Sequence, residues 1–198
     1  MPLKRTLWHT DDLRAWHSAL DEYPSVVERQ GVAKLAELDR WYHDELPDAI
    51  RTRKAPHVTL PELVKLAEWK MARGVWRAPN LVLVRGNAPS TVIETSTAAL
   101  ATVPHPTSPI ATLAKLDGVG PATASGAAAA YAPEVYPFFD ELVAGQVPTL
   151  GPVKWTHGFY GTYAKALRER ASVLGDGWTP AMVERALWAH YGGKAGAR

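Results

Sequence analysis

Between Asp117 and Pro121 the chain has room only for Gly118-Val119-Gly120. A helical pattern carrying Ile110, Leu113 and Leu116 stops at Asp117, and Pro121, well suited to the start of a helix, opens another at once. Two helices joined by so short a turn must fold back on each other as a hairpin. The two glycines supply the dihedrals of the turn and let another backbone come close. Val119 is placed to point inward and pin the pair. The second helix is rich in small residues, among them Ala122, Ala124 and Ala127, so it can pack tightly on its partners, and it must end before Pro133.

Helix starts and stops recur along the whole chain. Thr10 reads as an N-cap ahead of Leu13, Trp16 and Leu20. Ser25 with Glu28, and Thr59 with Glu62, have the capping-box spacing; the first precedes Val32, Leu35, Leu38 and Trp41, the second Leu63 and Leu66 before a stop at Gly74. Ser90 opens a helix through Leu100, and Ser108-Pro109 opens the first hairpin helix. A later helix carries Tyr160, Tyr163, Leu167 and Leu174 up to Gly175, and Thr179-Pro180 starts the last, which Gly192 ends. Only Asn80–Gly86 (NLVLVRG) has strand character. A lone strand has no partner, so it is read as helix or extended loop. The expected fold is all-α, with about nine or ten helices of ~11 residues. One domain spans 1–192, as one body or two helical lobes. The hairpin motif lies at about 109–132, and 193–198 form a flexible tail.

Composition narrows the chemistry. The 198 residues include no cysteine, which excludes disulfides, iron–sulfur clusters and thiolate metal sites. No HExxH or similar pairing appears among the seven histidines, so no metal site built from side chains is expected. No apolar run approaches a membrane span, and the N-terminus lacks the apolar core of a signal peptide. The expected setting is cytoplasmic. The net charge is only +2, so a nucleic-acid surface must be a local patch. The eight tryptophans are expected mostly in the core.

The turn amides of Gly118, Val119 and Gly120, with the first amides of the second helix at Ala122 and Thr123, make a concentration of N–H donors that suits an anion. Leu116-x-Gly118-Val119-Gly120-Pro121-x-Thr123-Ala124 resembles the helix-hairpin-helix motif of the DNA glycosylase superfamily that includes endonuclease III and the adenine-mismatch glycosylases. The resemblance covers about 108–143. It implies that the hairpin amides hold a DNA phosphate, often with a monovalent cation on backbone carbonyls, here those of Asp117 and Val119. It also implies a catalytic aspartate beyond the second helix. Asp140 stands at the family's spacing from Gly118, after the apolar lead-in Tyr136-Pro137-Phe138-Phe139.

Breaking an N-glycosidic bond builds positive charge on the sugar, which a carboxylate stabilises, or it activates the attacking water. Two departures shape the expectation. Ala122 occupies the position at which bifunctional relatives carry lysine, so the resemblance implies a monofunctional glycosylase without lysine-based lyase activity. Glu141 follows Asp140 directly and is a second candidate for the chemistry. Trp69 to Arg77 interleaves base and aromatic residues, making Lys70, Arg73 and Arg77 candidate DNA contacts. Arg51, Arg53 and Lys54 form a basic turn, and Lys154-Trp155-Thr156-His157 follows the Asp140 segment. The chain is thus expected to be a monomeric, nucleoid-associated protein without cofactor that removes a damaged or modified base from DNA. The alternatives are a non-catalytic helix-hairpin-helix DNA-binding protein and a helical interaction domain with no DNA role.

Overall fold

The computed structural model describes residues 7–197, so residues 1–6 of the expected domain and Arg198 of the expected tail lie outside the described residues. The fold is all-α, and no strand occurs among the described residues. The helices are α1 (Leu13–Asp21), α2 (Tyr23–Arg29), α3 (Leu35–Arg40), α4 (Leu46–Arg51), α5 (Leu60–Arg73), α6 (Ala78–Arg85), α7 (Pro89–Leu100), α8 (Ser108–Leu113), α9 (Pro121–Tyr131), α10 (Glu141–Ala144), α11 (His157–Leu174) and α12 (Pro180–Tyr191). A π-helical segment, Trp41–Glu45, joins α3 to α4 without a break. None of the helices among the described residues is long and apolar enough to cross a membrane.

Helix α9 explains the alanines. From Ala122 to Ala130 every residue is buried. A helix covered on all sides needs small side chains where neighbours press closest. A Cβ added at Gly126 would come within 3.0 Å of Leu66 Cδ1 on α5, and the Gly126 carbonyl accepts from the Tyr42 hydroxyl at 2.9 Å. Helix α9 packs against α4, α5 and α8, and the large side chains buried in the core include Trp16, Trp69, Trp188, Tyr160 and Tyr163.

Several helix boundaries differ from the sequence reading. Asp12, not Thr10, caps α1, its carboxylate accepting from the Arg14 amide at 3.0 Å. The box at Ser25 and Glu28 does not form, because α2 begins at Tyr23 with Pro24 in its first turn and Ser25 lies inside the helix. The box at Thr59 and Glu62 does form, and Gly74 ends α5. NLVLVRG is helical, within α6 and its C-cap. Packing decides there: Leu81 and Val84 are buried while Val82 and Leu83 stay exposed, which is helical and not alternating. Within the segment expected as a tail, Lys194–Ala197 form a 3-10 turn, Lys194 Nζ donates to the Gly74 carbonyl at 2.7 Å, and Gln30 Oε1 accepts from the Ala195 amide at 2.8 Å.

The turn between α8 and α9 is longer than the three residues expected. Helix α8 ends at Leu113, and residues 114–120 form the turn, tightened by Leu116 N–H to Leu113 and Val119 N–H to Leu116 bonds, each 3.1 Å. Leu116 and Val119 are both buried, as anchors under the turn. The glycines are not equivalent. Gly118 has φ +73°, and a Cβ there would meet the Asn80 carbonyl oxygen at 2.6 Å and the Val84 nitrogen at 2.8 Å, both on α6. Gly120 is extended at φ −94°, ψ 179°, and a Cβ there would meet nothing within 4 Å. The expectation that both glycines are needed for their dihedrals therefore holds for Gly118 alone. Gly118→Ala should lower stability by ~2 kcal/mol or more, combining left-handed strain with a backbone clash. Gly120→Ala should stay within ~0.5 kcal/mol. Thermal unfolding of the two variants checks this, and equal melting temperatures would contradict the asymmetry.

Candidate functional site

Asp140 sits at the end of an extended lead-in that three side chains fix. The Tyr160 hydroxyl donates to the Pro137 carbonyl at 3.1 Å, the Tyr163 hydroxyl donates to the Phe138 carbonyl at 2.7 Å, and the Phe139 amide donates to Ser125 Oγ at 2.9 Å. The aspartate is thus positioned from both α9 and α11. Its Oδ1 caps α10, accepting from the amides of Leu142 at 2.8 Å and Val143 at 3.3 Å. Its Oδ2 lies 3.6 Å from Arg73 Nε.

Arg73 is not on the surface where the sequence reading placed it as a DNA contact. It is only 2% exposed, paired with the Glu184 carboxylate, and its guanidinium lies against the rings of Trp188, Phe138, Trp69 and Tyr23. The helical period accounts for this. Trp69 and Arg73 are four residues apart and share the inward face of α5, where Trp69 stacks on Tyr42 at 3.7 Å between centroids and donates to Asp39. Burial opposes the charge of Arg73, but Glu184, Tyr23 and Asp140 outweigh it and hold the guanidinium firmly protonated. Glu184 is pushed up to about 7, mainly by burial, which Arg73 opposes and Asp140 reinforces. Arg73 Nε and Nη1 have no hydrogen-bond partner.

One cavity opens beside Arg73 and Asp140, and a second adjoins it at the turn before α9. The first, of about 140 Å³, is walled by Arg73, Phe138, Phe139, Asp140, Glu141 and neighbouring residues, with Lys194 at its rim. The other, of about 250 Å³, is walled by Asn80, Gly118, Gly120, Pro121, Ala122 and Thr123. Lys70, Arg77 and Trp155 belong to both and form the wall between them. The hairpin, the basic residues of α5 and its following loop, and Asp140 with Glu141 therefore converge on one face. Val119, Ala122 and Thr123 are buried, so what they offer to that face is backbone. The first turn of α9 has no side-chain cap. Arg77 and Trp155 are exposed, Lys70 half-buried, and Trp76, also exposed, adjoins Arg77 in sequence. Lys70 is lowered from its ordinary value by burial, with the Arg77 charge adding to the effect.

The remaining basic turn is occupied elsewhere. Arg51 donates to the carbonyls of Tyr131 and Ala130, tying off the end of α9, and Arg53 is engaged with Glu62 and the His57 carbonyl. At the hairpin, Asn87 brackets Asp117: its Nδ2 donates to the Asp117 carbonyl at 2.9 Å and its Oδ1 accepts from the Asp117 amide at 3.0 Å. One lone pair of a carbonyl expected to face a monovalent cation is thereby engaged, so the donor set there fits a cation less well than a free carbonyl. No group of three or more His, Asp or Glu that could hold a metal ion occurs among the described residues. Sequence reasoning missed Glu184, Asn80, Asn87 and Lys194, none of which sits in a recognisable motif. Trp155, flagged only by its nearness to the Asp140 segment, proves central to the wall. No protein-family model, curated protein or solved structure matches the chain.

Proposed function

We propose that the protein binds DNA across the face of the two cavities and hydrolyses the N-glycosidic bond of a modified or damaged base with Asp140. One observation carries the reading: the uncapped first turn of α9 and its glycine turn lie across a shared Lys70–Arg77–Trp155 wall from a buried, rigidly held carboxylate. Backbone amides and two cations suit a phosphate. Trp155, exposed and backed by the buried Phe139 ring with centroids 4.8 Å apart, offers an aromatic surface to an unstacked base. Water attacks C1′ and gives up a proton, the base leaves with the bonding electrons and gains a proton, and the Asp140 charge stabilises the cationic sugar. Glu141, exposed at the same rim, is the second carboxylate within reach of that water.

The helix-hairpin-helix DNA-binding protein without catalysis is the second reading, and a specific observation favours it. Both Asp140 oxygens are already engaged, one by α10 amides and one facing Arg73. Single-turnover incubation with a panel of duplexes, each carrying a different modified base, separates the two. Release of one base supports the glycosylase. Tight binding with no release from any duplex leaves the binding protein. Gly120→Val tests the anchor in either case. Its backbone is open to any residue, so the fold should survive, while a branched side chain stands where the phosphate would sit. Affinity for DNA should fall about tenfold or more, equivalent to ~1.4 kcal/mol. Unchanged affinity would remove the hairpin from the binding face.

A further inference from the structure

The Arg73 guanidinium stands between two carboxylates and engages them unequally. Its Nη2 donates to Glu184 Oε1. Its Nε lies 3.6 Å from Asp140 Oδ2, and neither Nε nor Nη1 makes a hydrogen bond. The contact with Asp140 is therefore one of charge alone. Rings enclose the cluster: Arg73 Cζ is 4.5 Å from the Trp188 centroid and 5.2 Å from that of Phe138. In such surroundings charges act on one another with little screening. Glu184 also borders a third cavity, of about 370 Å³, between the π-helical segment, the end of α9 and the start of α12. That cavity shares only Phe138 with the Asp140 cavity. A proton can thus reach Glu184 from a side away from the face read as the DNA site.

We propose that Glu184 is a positioning residue that sets, through Arg73, how much negative charge Asp140 presents to a cationic sugar; this rests on the reading of the face as a glycosylase site. With Glu184 ionised, its charge offsets that of Arg73, and Asp140 keeps its own to offer. With Glu184 protonated, Arg73 offsets Asp140 instead, and the three groups together are neutral. Burial raises Glu184 to about 7, with Arg73 and the neighbouring Arg185 opposing the rise and Asp140 adding to it, so the change falls near neutrality. Tyr23 on α2, Tyr42 on the π-helical segment and Tyr163 on α11 also face Glu184; burial raises all three, so they stay neutral there. His43, in the wall of the third cavity with Asp44 and Arg51, is held below its usual value by burial and is neutral there as well. Asp39 on α3 faces Arg73 and is raised by burial. A variant at Glu184 separates its effect from that of Asp39.

The test uses the full chain and reads charge at the sugar without turnover. Two duplexes are compared. One carries a neutral tetrahydrofuran in place of a nucleoside, the other a pyrrolidine whose protonated ring nitrogen mimics the cationic sugar. The ratio of their affinities cancels general effects of pH on DNA binding. In the wild type, preference for the pyrrolidine duplex should rise about fivefold between about pH 6 and 8. Glu184→Gln, nearly isosteric and still able to accept from Arg73, should hold the low preference at both pH values. A glutamate that only supports the fold would alter affinity for both duplexes alike and leave the ratio and its pH dependence untouched. A preference that is independent of pH, unchanged in Glu184→Gln and lost in Asp140→Asn overturns the role of Glu184 and leaves the glycosylase reading standing. Equal affinity of the wild type for both duplexes at every pH overturns both and leaves only a DNA-binding face. Absence of binding to either duplex removes that face as well.

Discussion

Asp140→Asn should reduce base release by about 10²-fold or more while the protein melts within a few degrees of wild type. The asparagine side-chain oxygen can still accept from the Leu142 and Val143 amides, and asparagine caps helices as well as aspartate does. What disappears is the negative charge. Stability need not suffer, because Arg73 keeps Glu184 as its partner and one of two buried carboxylates facing a single guanidinium has been neutralised. DNA binding should persist or tighten, since a charge that repels phosphate is gone. Asp140→Ala, by contrast, should cost about 1 kcal/mol through loss of the cap alone. The paired measurement is release rate and melting temperature for wild type, Asp140→Asn and Glu141→Gln. Full activity in Asp140→Asn with loss in Glu141→Gln would move the chemistry to the exposed neighbour.

Local signals carried most of the helices, and they failed where a long-range contact decides. Thr59 with Glu62, Pro121 and Gly175 act within one turn of chain, and each marks a boundary that forms. Ser25 and Glu28 have the same spacing as Thr59 and Glu62, yet Pro24 and the packing of Tyr23 start that helix earlier. Asn80–Gly86 looks extended because its apolar residues run together. It becomes a helix because one pair faces the core and the other stays outside. The site was legible in the same measure. Asp140 and the glycine turn are local patterns, and both border the cleft. Arg73 read as surface because its partner, Glu184, is 111 residues away and in no motif. The difference between Gly118 and Gly120 depends on α6 pressing on one of them, which no spacing within the turn encodes.

Arg73→Met should destabilise the protein by roughly 3–5 kcal/mol at pH 8, the largest single effect expected outside catalysis. Methionine fills the aromatic box formed by Trp188, Phe138, Trp69 and Tyr23, so packing is roughly kept. The cost lies in charge: Glu184 and Asp140 would both remain buried with no cation between them. Acidification should restore part of the loss, because protonating Glu184 removes one of those charges. Arg73→Met combined with Glu184→Gln should recover much of it at any pH. The wild type carries a milder form of the same conflict. Glu184 sits at about 7 in the folded protein against an ordinary value of 4.5, so the native state holds a proton that the unfolded chain has released. Its contribution to stability is present in full below about 4.5 and is lost as pH rises through about 7. His43 acts in the opposite sense: burial, then the charges of Arg185 and Arg73, hold it below its usual value, so its contribution is lost as pH falls below about 6.5. The difference in unfolding free energy between wild type and Glu184→Gln removes the histidine from the comparison. That difference should shift against the wild type by roughly 3 kcal/mol between pH 4.5 and 7. Denaturant unfolding at several pH values measures it, and a difference independent of pH would mean that Glu184 is ionised throughout and that Arg73 holds both carboxylates without conflict.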